Sequence, residues 1–205
     1  MSPIAELRVT DLPLKRGGRL LQSHVSFSVA AGEILSVRGP NGAGKTSLLR
    51  AIAGLLKVPQ GSVIFRMQPD GIVANAEERI GKIGWFGQLD GVKSQLSLFE
   101  NLRFHCRFNR CSDNVEEALA TLNLHHLRDL PGQYLSQGQR RRLAFARLLV
   151  VPQSLWLLDE PLSTIDEKGR ECIRRLIRDH CTKGGIVVAA THEPLDLESV
   201  PLELE

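Results

Sequence analysis

The chain has 205 residues, of which 42% are hydrophobic and 24% are charged, and its formal net charge is +3. These values are ordinary for a globular protein, and the length suits one large domain with its own core, so no disulfide or metal is needed to hold it together. The mild charge does not indicate a nucleic-acid partner, no apolar run approaches the roughly 20 residues of a membrane span, and the N-terminus lacks the apolar core of a secretory signal, which predicts a cytoplasmic protein.

Short apolar runs alternate with stretches of helical periodicity along the chain. Strands are predicted at residues 6–11, 25–29, 34–37, 62–67 and 83–86, and uninterrupted apolar runs predict buried strands at 155–158 and 186–190. Helices are predicted at residues 45–53, 115–122, 139–149 and 167–180. Strands that are apolar on both faces are typical of a parallel sheet flanked by helices. Because residues 89–149 contain no convincing strand, we expect an α/β domain with an inserted helical lobe.

A glycine-rich segment follows the strand predicted at residues 34–37. Residues 39–46 read GPNGAGKT and match the phosphate-loop pattern G-x-x-x-x-G-K-[ST] in full. Glycines let backbone N–H groups curl around phosphate oxygens, and a helix that begins near Lys45 directs its positive end at the same anion. The Thr46 hydroxyl is an oxygen ligand suited to Mg²⁺. The predicted nucleotide-binding residues are Gly39, Pro40, Asn41, Gly42, Ala43, Gly44, Lys45, Thr46 and Ser47.

Polar side chains follow the two apolar runs in the C-terminal part of the chain. Asp159 and Glu160 end the first run, and in an open α/β sheet ligands bind beyond the carboxyl ends of the strands. We expect Asp159 to help hold Mg²⁺ and Glu160 to polarise the attacking water as a catalytic base. His192 follows the second run and is predicted to contact the γ-phosphate and orient the water. A solvated strand end is the alternative interpretation, which the phosphate loop upstream disfavours.

Cysteines and arginines allow more than one interpretation. His105, Cys106 and Cys111 are close in sequence and could bind a metal, but none of the four cysteines forms a C-x-x-C pair. We therefore favour scattered thiols in a reducing compartment. Residues 140–142 are consecutive arginines, a run that on its own would suit nucleic acid.

Together, these motifs resemble those of the ATP-binding cassette (ABC) family of ATPases. Residues 135–139 read LSQGQ and resemble the family signature LSGGQ. The phosphate loop, the glutamine of WFGQ at 85–88, the Asp-Glu strand end, STID at 163–166 and His192 complete the set in family order. The set is specific and spans nearly the whole chain.

The resemblance implies an ABC-type phosphate-loop NTPase fold with a mainly parallel core sheet, an N-terminal antiparallel β part and an inserted helical subdomain. It implies one ABC ATPase domain over residues 1–205, with a core lobe of residues 1–88 and 150–205 and a helical subdomain of residues 89–149. It also implies hydrolysis of ATP, with Lys45, Glu160 and His192 as catalytic residues and with Mg²⁺ held by Thr46, Gln88 and Asp159.

Further roles follow from the same resemblance. Gln88 is similar to the glutamine that joins the helical lobe to the core and senses Mg²⁺ and the γ-phosphate. Ser136 and Gly138 resemble the signature residues that contact ATP on a second copy of the subunit, and Asp166 resembles a dimer-contact aspartate. Two ATP molecules would thus be sandwiched between two chains. The arginine run would open the helix after the signature, where this family is commonly basic, so no nucleic-acid partner is expected.

The chain departs from the family pattern at two positions. Gln137 replaces a glycine of the signature, and a side chain there is expected to loosen the approach of the partner's γ-phosphate. Arg16 stands where many members carry an aromatic residue that stacks on adenine. A guanidinium plane can also lie on a base but buries less area, which predicts weakened base selectivity.

More narrowly, the chain resembles the ATP-binding subunits of the bacterial cytochrome c maturation system, also called heme exporters. The similar segments are ENLRFH at 100–105, IDEKG at 165–169, GGIVV at 184–188 and THEPL at 191–195. The resemblance implies a peripheral ATPase on the cytoplasmic face of the inner membrane, docked on separate heme-handling membrane subunits. Two alternatives stay open: the ATPase of another small exporter or importer, and a non-hydrolysing, nucleotide-dependent scaffold.

Overall fold

The structure of the chain, a computed structural model, describes residues 3–17, 19–109 and 114–205, without the side chain of Arg16. The strands are β1 (Ile4–Arg16), β2 (Arg19–Ala30), β3 (Ile34–Arg38), β4 (Ser62–Met67), β5 (Ile72–Val73), β6 (Ile83–Phe86), β7 (Leu155–Asp159), β8 (Ile186–Ala190) and β9 (Val200–Glu203). The helices are α1 (Lys45–Ile52), α2 (Ala76–Ile80), α3 (Leu98–Asn109), α4 (Val115–Thr121), α5 (Gln137–Val150) and α6 (Glu167–Thr182), with short 3₁₀ turns at His125–Leu127 and Gly132–Tyr134.

The described strands form two sheets of different character. One has the order β2-β1-β4-β5, and its neighbours pair antiparallel. The other has the order β6-β7-β8-β3-β9, in which β7, β8, β3 and β9 pair in parallel. Every residue of β7 and β8 is buried, as expected of strands covered on both faces. The predicted fold class, a mainly parallel core with an N-terminal antiparallel part and a helical insertion, is confirmed.

The chain divides into two compact units. The first comprises Met1–Trp85, Gln153–Pro161 and Leu176–Glu205, and the second comprises Phe86–Pro152 and Leu162–Arg175. In the first unit, side chains from both sheets and from α1 share one apolar core. In the second, α3, α4 and α5 pack together through buried side chains of each helix. Within the described ranges, no helix is both long enough and apolar enough to cross a bilayer.

Some elements extend beyond the sequence predictions. Helix α5 begins at Gln137 rather than at residue 139 because the residue before it caps the helix. Strand β9 contains Pro201 and exposes most of its side chains, so it carries no apolar pattern. It is nevertheless a strand because its backbone pairs with β3 at the edge of the sheet, a position that tolerates proline.

Candidate functional site

The phosphate loop joins the end of β3 to α1, and its glycines have positive φ angles. The φ angle is 141° at Gly39, 91° at Gly42 and 108° at Gly44, in the region that favours glycine. A Cβ atom on Gly39 would lie 2.2 Å from the carbonyl oxygen of Leu204, so no side chain fits there. A Cβ atom on Gly42 would meet nothing within 4 Å. The loop therefore presents bare backbone, as a phosphate cradle requires.

Lys45, the first residue of α1, folds back over this loop. The residue is only 7% exposed, and its Nζ donates to the carbonyl oxygens of Gly39 at 2.5 Å and Pro40 at 3.1 Å. Gly44 is the N-cap and offers no side-chain acceptor to the first turn of α1. The segment thus combines an ammonium group with a helix N-terminus, and both groups attract phosphate.

Thr46 contacts the carboxylate at the end of β7. Its hydroxyl donates to Oδ2 of Asp159 at 2.9 Å, although the two residues are far apart in sequence. Asp159 is 2% exposed. A hydroxyl oxygen beside a carboxylate is a hard-oxygen pair of the kind that Mg²⁺ takes, so these side chains fit that ion.

Glu160 and His192 meet because β7 and β8 are parallel neighbours. Asp159 lies opposite Ala190 in the ladder, so the residues that follow both strands emerge at the same sheet edge. The Glu160 N–H donates to the Ala190 carbonyl at 2.9 Å, and the φ angle of Glu160 is 53°. His192 Nδ1 lies 2.9 Å from Glu160 Oε1. The carboxylate is mostly buried, whereas the imidazole is 54% exposed.

Burial raises the pKa of the Glu160 carboxyl above its ordinary value, because the charged form loses hydration there. The charge of Asp159 acts in the same direction, whereas His192 and Lys45 favour the carboxylate and partly offset the rise in pKa. A carboxylate of raised pKa is a stronger proton acceptor near neutral pH. This electrostatic setting suits a general base.

Thr191 is a residue of this edge that the sequence interpretation missed. Its hydroxyl donates to the Glu193 carbonyl at 2.7 Å and accepts from the Glu193 N–H at 3.1 Å. Its own N–H donates to the Val37 carbonyl of β3 at 3.1 Å. These bonds shape the turn that carries His192. The sequence feature that could have pointed to this role is the position of Thr191, directly between the apolar run 186–190 and His192.

Ser136 begins helix α5 in the second unit. Its Oγ accepts from the Gln139 N–H at 3.3 Å, and the Gln139 Oε1 accepts from the Ser136 N–H at 2.8 Å, which is a complete capping box. Ser136 and Gln137 are exposed. A Cβ atom on Gly138 would lie 3.3 Å from the Thr164 carbonyl oxygen, so a larger residue would crowd this turn. The turn presents a hydroxyl group and a helix N-terminus on the surface of the unit.

Arg141 connects α5 to the segment that carries Gln88. Its Nη1 donates to the carbonyls of Gly87 at 2.7 Å and Gln88 at 3.3 Å, and its guanidinium lies 4.1 Å from the centroid of the Phe86 ring. The Gln88 side chain itself is exposed. Arg141 therefore holds the backbone of this segment in place and leaves Gln88 exposed.

The other two arginines of the basic run also bind within the second unit. Arg140 forms an ion pair with Asp90 at 2.8 Å, and Arg142 donates to the Leu122 carbonyl at 3.1 Å. These contacts give the run a structural role that its sequence context alone did not specify.

The predicted site residues thus fall into two groups. The first unit brings together residues 39–47, Asp159, Glu160 and His192, and the second unit holds Gln88, Ser136, Gly138 and Asp166. The Asp166 carboxylate accepts from the Gly169 N–H at 3.1 Å and so caps α6. The Arg16 side chain and Cys111, which the sequence singled out, lie outside the described residues.

Comparisons with known proteins agree with this geometry. The sequence model of the family described as ABC transporter matches residues 22–163. The cytochrome c biogenesis ATP-binding export protein CcmA 2 of Cupriavidus metallidurans is 38% identical over 203 residues, covering 98% of this chain and 95% of that protein. The CcmA protein of Rhodopseudomonas palustris is 45% identical over 184 residues, covering 89% of each.

A solved structure also resembles the chain. It comes from Pyrococcus furiosus, is provisionally described as an ABC transporter ATP-binding protein, and superposes with a TM-score of 0.82 at 25% identity over 97% of both chains. The chain therefore belongs to the ABC transporter family, as an ATP-binding and ATP-hydrolysing protein of the group of cytochrome c biogenesis ATP-binding export proteins.

Proposed function

We propose that the chain is the ATPase subunit of a membrane complex that powers heme export, or release of heme to its chaperone, in cytochrome c maturation. The observation that carries the chemistry is the Glu160–His192 pair, 2.9 Å apart, at the sheet edge beside Asp159. The assignment to cytochrome c maturation is supported by relatives of 38% and 45% identity that are named as cytochrome c biogenesis proteins.

The phosphates of ATP would bind to the backbone of residues 39–47. The Lys45 ammonium has three N–H donors and is already oriented over the loop, so it is placed to donate to a phosphate oxygen. Thr46 and Asp159, together with Gln88, would hold Mg²⁺. Bound there, the ion would neutralise negative charge on the β- and γ-phosphates.

Hydrolysis would begin at Glu160. Its carboxylate accepts a proton from the attacking water, which displaces ADP from the γ-phosphorus in line, and His192 keeps the carboxylate and the water oriented. The mostly buried carboxylate supports this role, because a raised pKa strengthens its basicity.

A second copy of the chain would complete each site. Ser136, Gly138 and the N-terminus of α5 would cap the γ-phosphate of ATP bound to the partner, with Asp166 at the contact. The exposed capping box supports this assignment because a hydroxyl group and a helix N-terminus together suit an anion. Gln137 would loosen the contact. Arg16, which replaces the aromatic residue that stacks on adenine in many members, would weaken base selectivity.

The core lobe and the helical subdomain would have different roles. The core lobe of residues 1–88 and 150–205 would bind ATP, and the helical subdomain of residues 89–149 would transmit the closing motion to separate membrane subunits. The chain would then act as a peripheral protein on the cytoplasmic face of the inner membrane.

The proposal is tested by replacing Glu160 with Gln in the source organism and staining its membranes for covalently bound heme. We expect loss of c-type cytochromes at a normal level of the protein, with ATPase activity of the assembled complex lowered at least about 100-fold. Glu78→Gln, at an exposed position of α2, is the matched control and should leave both unchanged. Normal cytochromes in the Glu160→Gln strain would assign the ATPase to another transporter.

A further inference from the structure

Gln22 on β2 contacts the phosphate loop from the side of the antiparallel sheet. Its Nε2 lies 3.4 Å from the carbonyl oxygen of Ala43 and also donates to the main-chain oxygen of Glu205. The β1–β2 hairpin packs against the phosphate loop at Gly44: a Cβ atom on that glycine would lie 3.3 Å from Leu14 and 3.4 Å from Leu21. Gln22 therefore joins the hairpin, the loop and the C-terminal segment.

The Ala43 carbonyl belongs to the same peptide unit as the Gly44 N–H. In a trans peptide the two groups point in opposite directions. A donor on β2 that holds the Ala43 carbonyl therefore turns the Gly44 N–H to the opposite side of the backbone. Glycine itself does not fix that orientation, because it adopts positive and negative φ angles about equally well; the φ angle of Gly44 is 108°.

Strand β9 holds the second acceptor in place. The Leu204 N–H donates to the Arg38 carbonyl at 2.9 Å, and the Leu204 carbonyl packs against Gly39. Glu205 follows directly and presents its main-chain oxygen to Gln22. A glutamine amide has two N–H donors, and here two main-chain oxygens lie within reach of it. This arrangement distinguishes Gln22 from an ordinary strand residue.

We propose that Gln22 is a positioning residue for ATP binding. Its amide orients the Ala43–Gly44 peptide so that the Gly44 N–H faces the phosphates. The inference rests on the proposed phosphate site. Loss of the amide lets this peptide unit rotate, so we expect the Kd for ATP to rise about fivefold, the effect of one net hydrogen bond.

The first test compares Gln22→Met with the unmodified full chain. Methionine keeps the length of the side chain and removes both donors. We expect weaker binding of ATP and ADP by equilibrium dialysis, with the melting temperature of the nucleotide-free protein within about 2 °C of the original, since the strand contacts remain. Gln60→Met, at an exposed bend, is the matched control and should bind ATP normally.

The second test uses pH with Gln22→Glu. Near pH 8 the carboxylate has no donor and faces two main-chain oxygens, so ATP should bind no better than to Gln22→Met. Because it faces only acceptor oxygens, this carboxyl should bind its proton at a higher pH than an ordinary glutamate, whose pKa is about 4.3. Towards about pH 5 the protonated carboxyl can then donate one hydrogen bond, and binding should recover relative to Gln22→Met at the same pH. A merely structural role predicts no such recovery.

Lys45→Ala separates failure of this inference from failure of the site. If Lys45→Ala leaves ATP affinity unchanged, the phosphate site itself is wrong. If Lys45→Ala abolishes binding while Gln22→Met binds ATP as the original chain does, the positioning role of Gln22 is overturned. A lower melting temperature with unchanged ATP affinity would overturn it equally.

Discussion

Each reactive side chain of the first unit is held by a partner that sets its direction. The loop carbonyls orient Lys45, and Asp159 accepts from Thr46. His192 lies against Glu160, and Thr191 shapes the turn beneath it. Because these contacts are charge-assisted or buried, they restrict rotamers before a substrate arrives, which lowers the entropic cost of reaching a reactive geometry.

The Glu160–His192 contact predicts how ATP hydrolysis responds to pH. Only the ionised carboxylate can accept a proton, so ATPase activity should fall on acidification. Because burial raises the pKa of Glu160, this fall should occur at a higher pH than it would for an ordinary glutamate. His192 lowers that pKa, so His192→Gln should move the acidic limb of kcat further toward neutral pH.

The measurement is kcat against pH for the assembled complex, over about pH 5 to 8. His126→Gln, an exposed histidine in a 3₁₀ turn, serves as the control and should leave the limb in place. An acidic limb that shifts to lower pH in His192→Gln would contradict the role assigned to this contact.

At the scale of secondary structure, the C-terminal end of helix α6 packs on a strand that carries the site. The His180 ring near the end of α6 stacks on Trp156 of β7, with centroids 3.9 Å apart and planes inclined by 8°. Burial lowers the pKa of His180 to about 4, so the ring is neutral at physiological pH. Gly185, which precedes β8, gives the ring its room, since a Cβ atom there would lie 2.2 Å from His180 Nε2.

Gly185→Ala should therefore lower the free energy of unfolding by about 1–3 kcal/mol, the usual effect of overpacking. The ring cannot yield because it already lies against Trp156. Chemical denaturation measures the change. Gly81→Ala, where a Cβ atom meets nothing within 4 Å, should be close to neutral.

A double variant sharpens this prediction. His180→Ala removes the obstructing ring, so the further change Gly185→Ala should cost much less in that background, as expected of residues in contact. Equal costs in both backgrounds would show that the clash with His180 is not the cause. ATP affinity should stay unchanged throughout, because neither residue touches the phosphate loop.

At the scale of the whole molecule, the proposed site would draw residues from two chains. The first unit carries the loop and Glu160, whereas Ser136 and its exposed capping box lie on the second. A site completed by a second copy makes ATP binding and dimerisation mutually dependent, because each stabilises the other by mass action.

Light scattering of Glu160→Gln tests this dependence. We expect ATP to convert this variant to a dimer, and Ser136→Asp in the same background to abolish the dimer. Aspartate is also a good N-cap, so α5 should remain helical, but its charge would repel the partner's γ-phosphate. Gln60→Glu adds the same charge at an exposed position and should leave the dimer intact. A dimer that survives Ser136→Asp would contradict the two-chain site.

The sequence alone determined the family, the fold class and the strands that carry the candidate site. The phosphate loop and the Asp159–Glu160 strand end could be located because their chemistry needs particular residue types at short, regular spacing, and a buried strand needs an unbroken apolar run. Roles for Gln88 and Ser136 came from resemblance to the family and remain predictions.

Only the tertiary structure decided which distant residues meet. The Glu160–His192 contact depends on β7 and β8 being neighbours, and the link from Gln22 to Ala43 depends on where the hairpin lies. Strand β9 exists because β3 offers it a backbone partner. The arginines of residues 140–142 donate to backbone carbonyls and pair with Asp90. Such contacts join residues far apart in the chain, and their spacing in the sequence has no period, so a local pattern cannot encode them.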